Sequence, residues 1–197
     1  MVPANFDKAS LRRQLLAARA LLSPDDAQSA AAVIAGHAVA LPELARARTV
    51  AAYVSVGREP GTRPLLDALR ARGVRVLLPV LLPDNDLDWG AYEGADSLVP
   101  AGRGLREPGG ARLGVHAVLD ADAVLLPGLA VDGRGMRLGR GGGSYDRVLA
   151  RLARADAHPA LVVLLYGDEV VARVPEEPHD HPVHAVVTPE GIRRFSG

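Results

Sequence analysis

The chain has 197 residues, a hydrophobic fraction of 48% and a formal net charge of zero, which fits one globular domain and argues against general attraction to nucleic acid or an anionic membrane. It contains no cysteine, which excludes disulfides and thiolate zinc sites and suits a reducing compartment. Charges at Asp7, Lys8, Arg12 and Arg13 break any signal-peptide pattern, and no apolar run approaches membrane-spanning length. A cytoplasmic protein is expected, with a monomer the favoured assembly.

Asp7 to Leu22 predicts a helix, with Leu11, Leu15, Ala18 and Leu22 on one stripe. Ser23-Pro24-Asp25-Asp26 supplies a cap, a first-turn proline and first-turn acids for a second helix reaching about Ala40. Thr49 to Ser55 predicts a buried strand, and a loop from Val56 to Gly61 leads to Thr62, expected to cap a helix that ends near Gly73. Val74 to Leu78 is a second buried strand, expected to stop at Pro79. Leu87 to Tyr92 alternates as an edge strand, and the glycine- and proline-rich stretch 93–114 is expected to be mostly loop. Strands are further expected at Ala123 to Leu126, Leu161 to Tyr166 and, last in the chain, Val183 to Thr188. Strands alternating with helices imply a single α/β domain with a mostly parallel sheet flanked by helices. Ligands of such sheets bind at the carboxyl ends of strands, and the loops 56–61, 127–143 and 175–182 all leave or approach expected strand ends.

The second of these loops carries the strongest chemical signal. Gly139, Gly141, Gly142 and Gly143 surround Arg140, Arg137 stands two residues ahead, and Tyr145, Val148, Leu149 and Leu152 open a helix directly behind. Backbone N–H groups of a glycine-rich loop at a helix start can converge on an anion, and arginines add bidentate phosphate donors. Asp146, at the start of that helix, can hold a metal against the same phosphates. No Gly-Lys dipeptide makes a Walker loop, and the dinucleotide pattern fails at Ser144. A flexible surface loop before an ordinary amphipathic helix is the plain alternative. A nucleic-acid contact at 133–143 is weakened by zero net charge and few aromatics. Among 23 basic residues Lys8 is the single lysine, which marks a place where a compact ammonium is needed or reflects chance. His179, Asp180, His181 and His184 form a second cluster, readable as a transition-metal site or as solvated loop residues. Trp89, Tyr92 and Tyr166 are expected to be packing residues rather than ligand platforms, the alternative being that one of them lines the pocket.

Pro127 to Asp132 and Arg137 to Asp146 resemble the signature of the 5-formyltetrahydrofolate cyclo-ligase family, also called 5,10-methenyltetrahydrofolate synthetases. So do Lys8-Ala9-Ser10-Leu11-Arg12, Tyr53 with Glu59 and Thr62, Gly104-Leu105-Arg106-Glu107-Pro108, and Pro178-His179-Asp180. The resemblance implies a CoA-transferase-like fold and closure of 5-formyltetrahydrofolate to 5,10-methenyltetrahydrofolate with ATP as co-substrate and Mg2+ as cofactor. It also implies roles. Lys8 and Arg12 would contact ATP phosphates, as would the run Arg137, Leu138, Gly139, Arg140, Gly141, Gly142, Gly143, Ser144 and Tyr145. Val54, Glu59 and the segment from Arg140 to Ser144 would meet the folate. Asp146 and Asp180 would hold magnesium, and Arg140 and Tyr145 would act on the reacting groups. For Lys8 with Arg12, a solvated helix face is the alternative, and for Asp146, a helix-start acid. The chain departs from the family pattern at Ser144, Gly142, Val131 and Gly61, where an aromatic residue, a larger residue, a phenylalanine and an acid are respectively frequent.

Overall fold

A computed structural model describes residues 6–196. Five α-helices form among the described residues: α1 (Lys8–Ala20), α2 (Pro24–Val39), α3 (Pro42–Ala45), α4 (Arg63–Ala71) and α5 (Ser144–Arg154). The strands are β1 (Thr49–Ala51), β2 (Arg75–Leu81), β3 (Leu87–Ala91), β4 (Leu98–Pro100), β5 (Arg106–Pro108), β6 (Ala123–Leu126), β7 (Ala130–Val131), β8 (Arg137–Leu138), β9 (Ala160–Leu164), β10 (Ala185–Thr188) and β11 (Gly191–Arg194). Seven of them make one sheet in the order β11-β10-β9-β6-β1-β2-β3, parallel from β10 to β2 and closed by an antiparallel strand at each edge.

Side-chain alternation divides the core between the two faces. Val50, Val76, Leu78, Leu125 and Leu164 pack under α2, α3 and α4 with Ile34, Leu44 and Leu66. Ala51, Leu77, Val124, Leu126 and Val163 pack under α5 with Val148, Leu149 and Leu152. Leu11 and Leu15 of α1 instead cover the β7–β8 hairpin, against Leu129, Met136 and Leu138. The hairpin turn is held by Asp132, only 1% exposed, whose carboxylate accepts the amides of Arg134, Met136 and Val174 at 2.9, 3.2 and 2.9 Å. Asp7 and Ser23 cap α1 and α2 through their side chains.

Three expectations are corrected. Pro79 does not end its strand: β2 runs on to Leu81, with Pro79 opposite Trp89. The Leu77 carbonyl faces β1, where it accepts the Ala52 amide, and the Val76 carbonyl faces β3. Pro79, two residues beyond Leu77, therefore turns its nitrogen to the β1 side, where β1 has already ended at Ala51, and no ladder bond is lost. Thr62 does not cap α4 through its side chain. Its hydroxyl donates to the Tyr53 carbonyl at 2.7 Å and accepts the Ser55 amide at 2.9 Å, drawing the chain after β1 out of the sheet. The 93–114 stretch is mostly loop, as expected, and also carries the short β4–β5 hairpin. Val183 to Thr188 is not the last strand, because β11 doubles back on β10. No helix among the described residues is long and apolar enough to cross a membrane.

Candidate active site

The chain runs outward from β1 to β2 and β3, then returns to β6 on the other side of β1, so the sheet switches direction between β1 and β6. A crevice opens outside the carboxyl ends of the strands at such a point. Tyr53 and Val54 leave β1 there, Pro127 leaves β6, and all three line a cavity of about 350 Å³.

One wall is cationic. Lys8 and Arg12, one turn apart on α1, face the glycine loop. Arg12 Nε donates to the Gly139 carbonyl at 2.9 Å, and Arg137 Nη1 donates to the Pro127 carbonyl at 2.7 Å. These contacts explain two of the glycines. A Cβ on Gly139 would lie 2.9 Å from Arg137 Nη1, and one on Gly141, at φ +100°, would lie 3.3 Å from the Arg12 guanidinium carbon. Gly143 caps α5 in the left-handed conformation, directing the helix start at the cavity. Arg140 is exposed on the loop. Burial pushes the Arg137 guanidinium pKa down, and the Asp146 carboxylate, 3.6 Å away, works against it.

The lining also holds Glu59, which is 7% exposed. Its Oε1 accepts the Val56 amide at 2.7 Å. Burial pushes its pKa up, and the Val56 hydrogen bond and the charges of Arg140 and Arg19 pull it back in part. Tyr53 and Tyr145 line the cavity too, with buried hydroxyls that have no partner among the described residues; burial pushes both phenol pKa values up, so each remains an O–H donor.

Within the lining, Lys8 Nζ donates to Asp180 Oδ2 at 2.8 Å. Burial acts to raise the Asp180 pKa, but the Lys8 bond and the Glu177 amide outweigh it and hold the carboxyl below its usual range. Asp146, His179 and Asp180 offer donor atoms within 4.8 Å of one another. That group contains neither His181 nor His184, so the sequence-adjacent histidines do not converge; the His184 ring accepts the Leu161 amide at 2.8 Å instead. Two carboxylates with one imidazole fit a hard divalent cation better than a soft one.

The sequence-expected residues thus converge, with one exception. Leu138 buries its side chain beneath α1 and does not line the cavity. Trp89, Tyr92 and Tyr166 lie outside the lining, as packing residues should. Residues without an expected role that do line it include Tyr53, Leu81, Leu87, Arg103 and Glu107. Glu107 reaches in from β5 and accepts the Leu81 amide at 2.8 Å, occupying the edge that Pro79 leaves open. Two departures also gain a physical reading: a Cβ at Gly61 would stand 2.8 Å from the Ala31 Cβ, leaving no room for an acid, whereas Gly142 has nothing within 4 Å.

Residues 4–189 match the model of the 5-formyltetrahydrofolate cyclo-ligase family. The chain belongs to this family. It is 45% identical over 148 residues to the 5-formyltetrahydrofolate cyclo-ligase of Mycolicibacterium smegmatis, covering 73% of this chain and 74% of that protein. It is 34% identical over 179 residues to the Escherichia coli enzyme of the same name, covering 88% and 96%. Its fold matches the 5,10-methenyltetrahydrofolate synthetase of Aquifex aeolicus at a TM-score of 0.81 with 28% identity, over 96% of this chain and 93% of that one. A synthetase from Mycoplasma pneumoniae shares the fold at a TM-score of 0.73 with 21% identity, over 93% and 99%. The cyclo-ligase family is one of enzymes, and this member keeps the α/β architecture with its mostly parallel sheet.

Proposed function

We propose that this chain closes 5-formyltetrahydrofolate to 5,10-methenyltetrahydrofolate, consuming ATP and releasing ADP and phosphate. Family membership supports the overall reaction. The observation that carries the reading is that one cavity at the strand switch brings together the cations Lys8, Arg12 and Arg137 and the buried carboxylate Glu59. Such a cavity suits a substrate pair in which one partner is a polyphosphate and the other a polar heterocycle.

A formamide carbon is a poor electrophile because the nitrogen lone pair is delocalised into its carbonyl. In the proposed sequence the formyl oxygen attacks the γ-phosphorus and ADP leaves. N10 then attacks the activated carbon, the carbon–oxygen bond to phosphate breaks, and the N10 proton is released. The protein supplies no nucleophile; it orients and stabilises moving charge. Lys8 and Arg12 meet the phosphates, with the backbone from Arg137 to Tyr145 around them. Arg140 stabilises the transferring phosphoryl group, and the neutral Tyr145 hydroxyl donates to a substrate oxygen. Glu59, through Oε2, accepts N–H groups of the pterin, with Val54 beside the ring. Asp146 and Asp180 are the residues that would hold magnesium, which neutralises phosphate charge when bound. Appearance of the methenyl product only when 5-formyltetrahydrofolate and Mg-ATP are both supplied tests the proposal.

A further inference from the structure

Arg19 and Glu169 form a sealed ion pair, each 2% exposed, and neither lines the cavity. Arg19 Nε and Nη2 donate to the two Glu169 carboxylate oxygens at 2.7 and 2.9 Å, and Nη2 also donates to the Gly128 carbonyl at 2.7 Å. From there the contacts reach the segments that carry Lys8, Arg12 and Arg137 and the segment that carries Glu59. Lys8, Arg12 and Arg19 fall within one stripe of α1 at the helical period, so Arg19 fixes the rotation of the helix that carries the two cations. Pro127, immediately before Gly128, is the residue whose carbonyl receives Arg137. On the other side, Glu169 Oε1 accepts the Tyr166 amide at 3.0 Å, and the Arg19 guanidinium lies 5.7 Å from the Tyr166 ring centroid. The Tyr166 hydroxyl donates to the Arg58 carbonyl at 2.9 Å, one residue before Glu59.

Burying two charges in place of two apolar side chains gains little net stability, because desolvation offsets their attraction. What a bidentate pair does supply is a fixed orientation. We propose that Arg19 and Glu169 are positioning residues for the reaction: a buried strut that sets the spacing between Glu59 and the cations Lys8, Arg12 and Arg137. The kinetic part of this proposal rests on the folate and ATP reading above.

The decisive variant is the apolar double replacement Arg19→Met with Glu169→Met, compared with each single change. Each single variant lowers the melting temperature by leaving one charge unpaired. The double variant regains stability, yet its kcat/KM for both substrates stays about 10- to 100-fold below wild type, as expected when reacting groups are misplaced by about an ångström. Leu44→Ala in α3, a core truncation that also lowers the melting temperature, keeps wild-type kinetics per folded molecule. Hydrogen exchange without any substrate gives a second reading. Amides of 56–60 and 137–143 exchange faster in the double variant, and do not in Leu44→Ala. A double variant with wild-type kinetics and exchange overturns the strut, as does equal acceleration in Leu44→Ala. If the double variant does not fold, Arg19→Lys and Glu169→Gln replace it, with the same expected losses and the same overturning result. A wild-type protein that does not turn over 5-formyltetrahydrofolate sinks the functional reading, and exchange alone then decides the strut.

Discussion

Lys8, the single lysine of the chain, donates to Asp180, 172 positions later, at 2.8 Å. The bond joins the first turn of α1 to the loop before β10, and both residues line the cavity. If Lys8 serves ATP phosphates as a point charge, Lys8→Gln raises the KM for ATP about 10- to 100-fold, the cost of one charge-assisted bond. Lys8→Arg rescues only in part, because a planar guanidinium cannot replace a compact ammonium. Thermal unfolding and ATP titration check the pair. A melting temperature that falls while ATP affinity holds returns Lys8 to a purely structural role.

Asp146 and Asp180 are expected to act through one magnesium ion. Asp146→Asn and Asp180→Asn each raise the magnesium concentration needed for half-maximal turnover, and the double variant loses no more than the sum of the singles, because a shared site can be lost only once. Magnesium titrations decide this. Unchanged dependence in both variants leaves Asp146 as an acid favoured by the start of α5.

Glu59 gives a pH-dependent signature. Its folded pKa is raised by burial, so its contribution to stability is fully present below the ordinary value of 4.5 and is lost as pH rises through the folded value. Glu59→Gln removes that loss. The variant is therefore more stable relative to wild type at about pH 8 than at about pH 4, while turnover falls more than about tenfold because an acceptor for the substrate is gone. Melting temperatures across pH, with kinetics at one pH, check both halves.

Arg140 is exposed on the glycine loop and contributes little to packing. Arg140→Ala is expected to leave the melting temperature near wild type and to reduce kcat/KM by about 1.5–3 kcal/mol of transition-state stabilisation. Normal steady-state kinetics in the variant contradict the role.

The sequence carried the main frame of the fold and most of the site. Period-3.6 stripes in α1 and α5 and the apolar runs of β2, β6 and β9 are local signals, and the loops at strand ends follow from the α/β alternation. Pro79 misled because its cost depends on which neighbour its nitrogen faces, a fact of three-stranded geometry. The two-residue strands β7 and β8 are too short to carry any period. Nothing local in the sequence pairs Arg19 with Glu169; only the docking of α1 beside the Gly128 turn seals both from water. The signal available was Arg19's place on the stripe of Leu15 and Arg12, at an apolar-facing position where an arginine needs a partner. Tyr53 lay inside an apolar strand pattern, and its unpartnered hydroxyl is visible only once the cavity is formed.

The measurement that tests the functional claim most directly is a mixing experiment. Purified protein is combined with 5-formyltetrahydrofolate, with and without Mg-ATP, while the absorbance of the methenyl product and the release of phosphate are followed together. Product rising only in the complete mixture, with one phosphate released per molecule closed, is the expected result. Binding of either ligand with no methenyl product, in a protein that unfolds cooperatively, contradicts it and leaves a cyclo-ligase fold that binds without turnover.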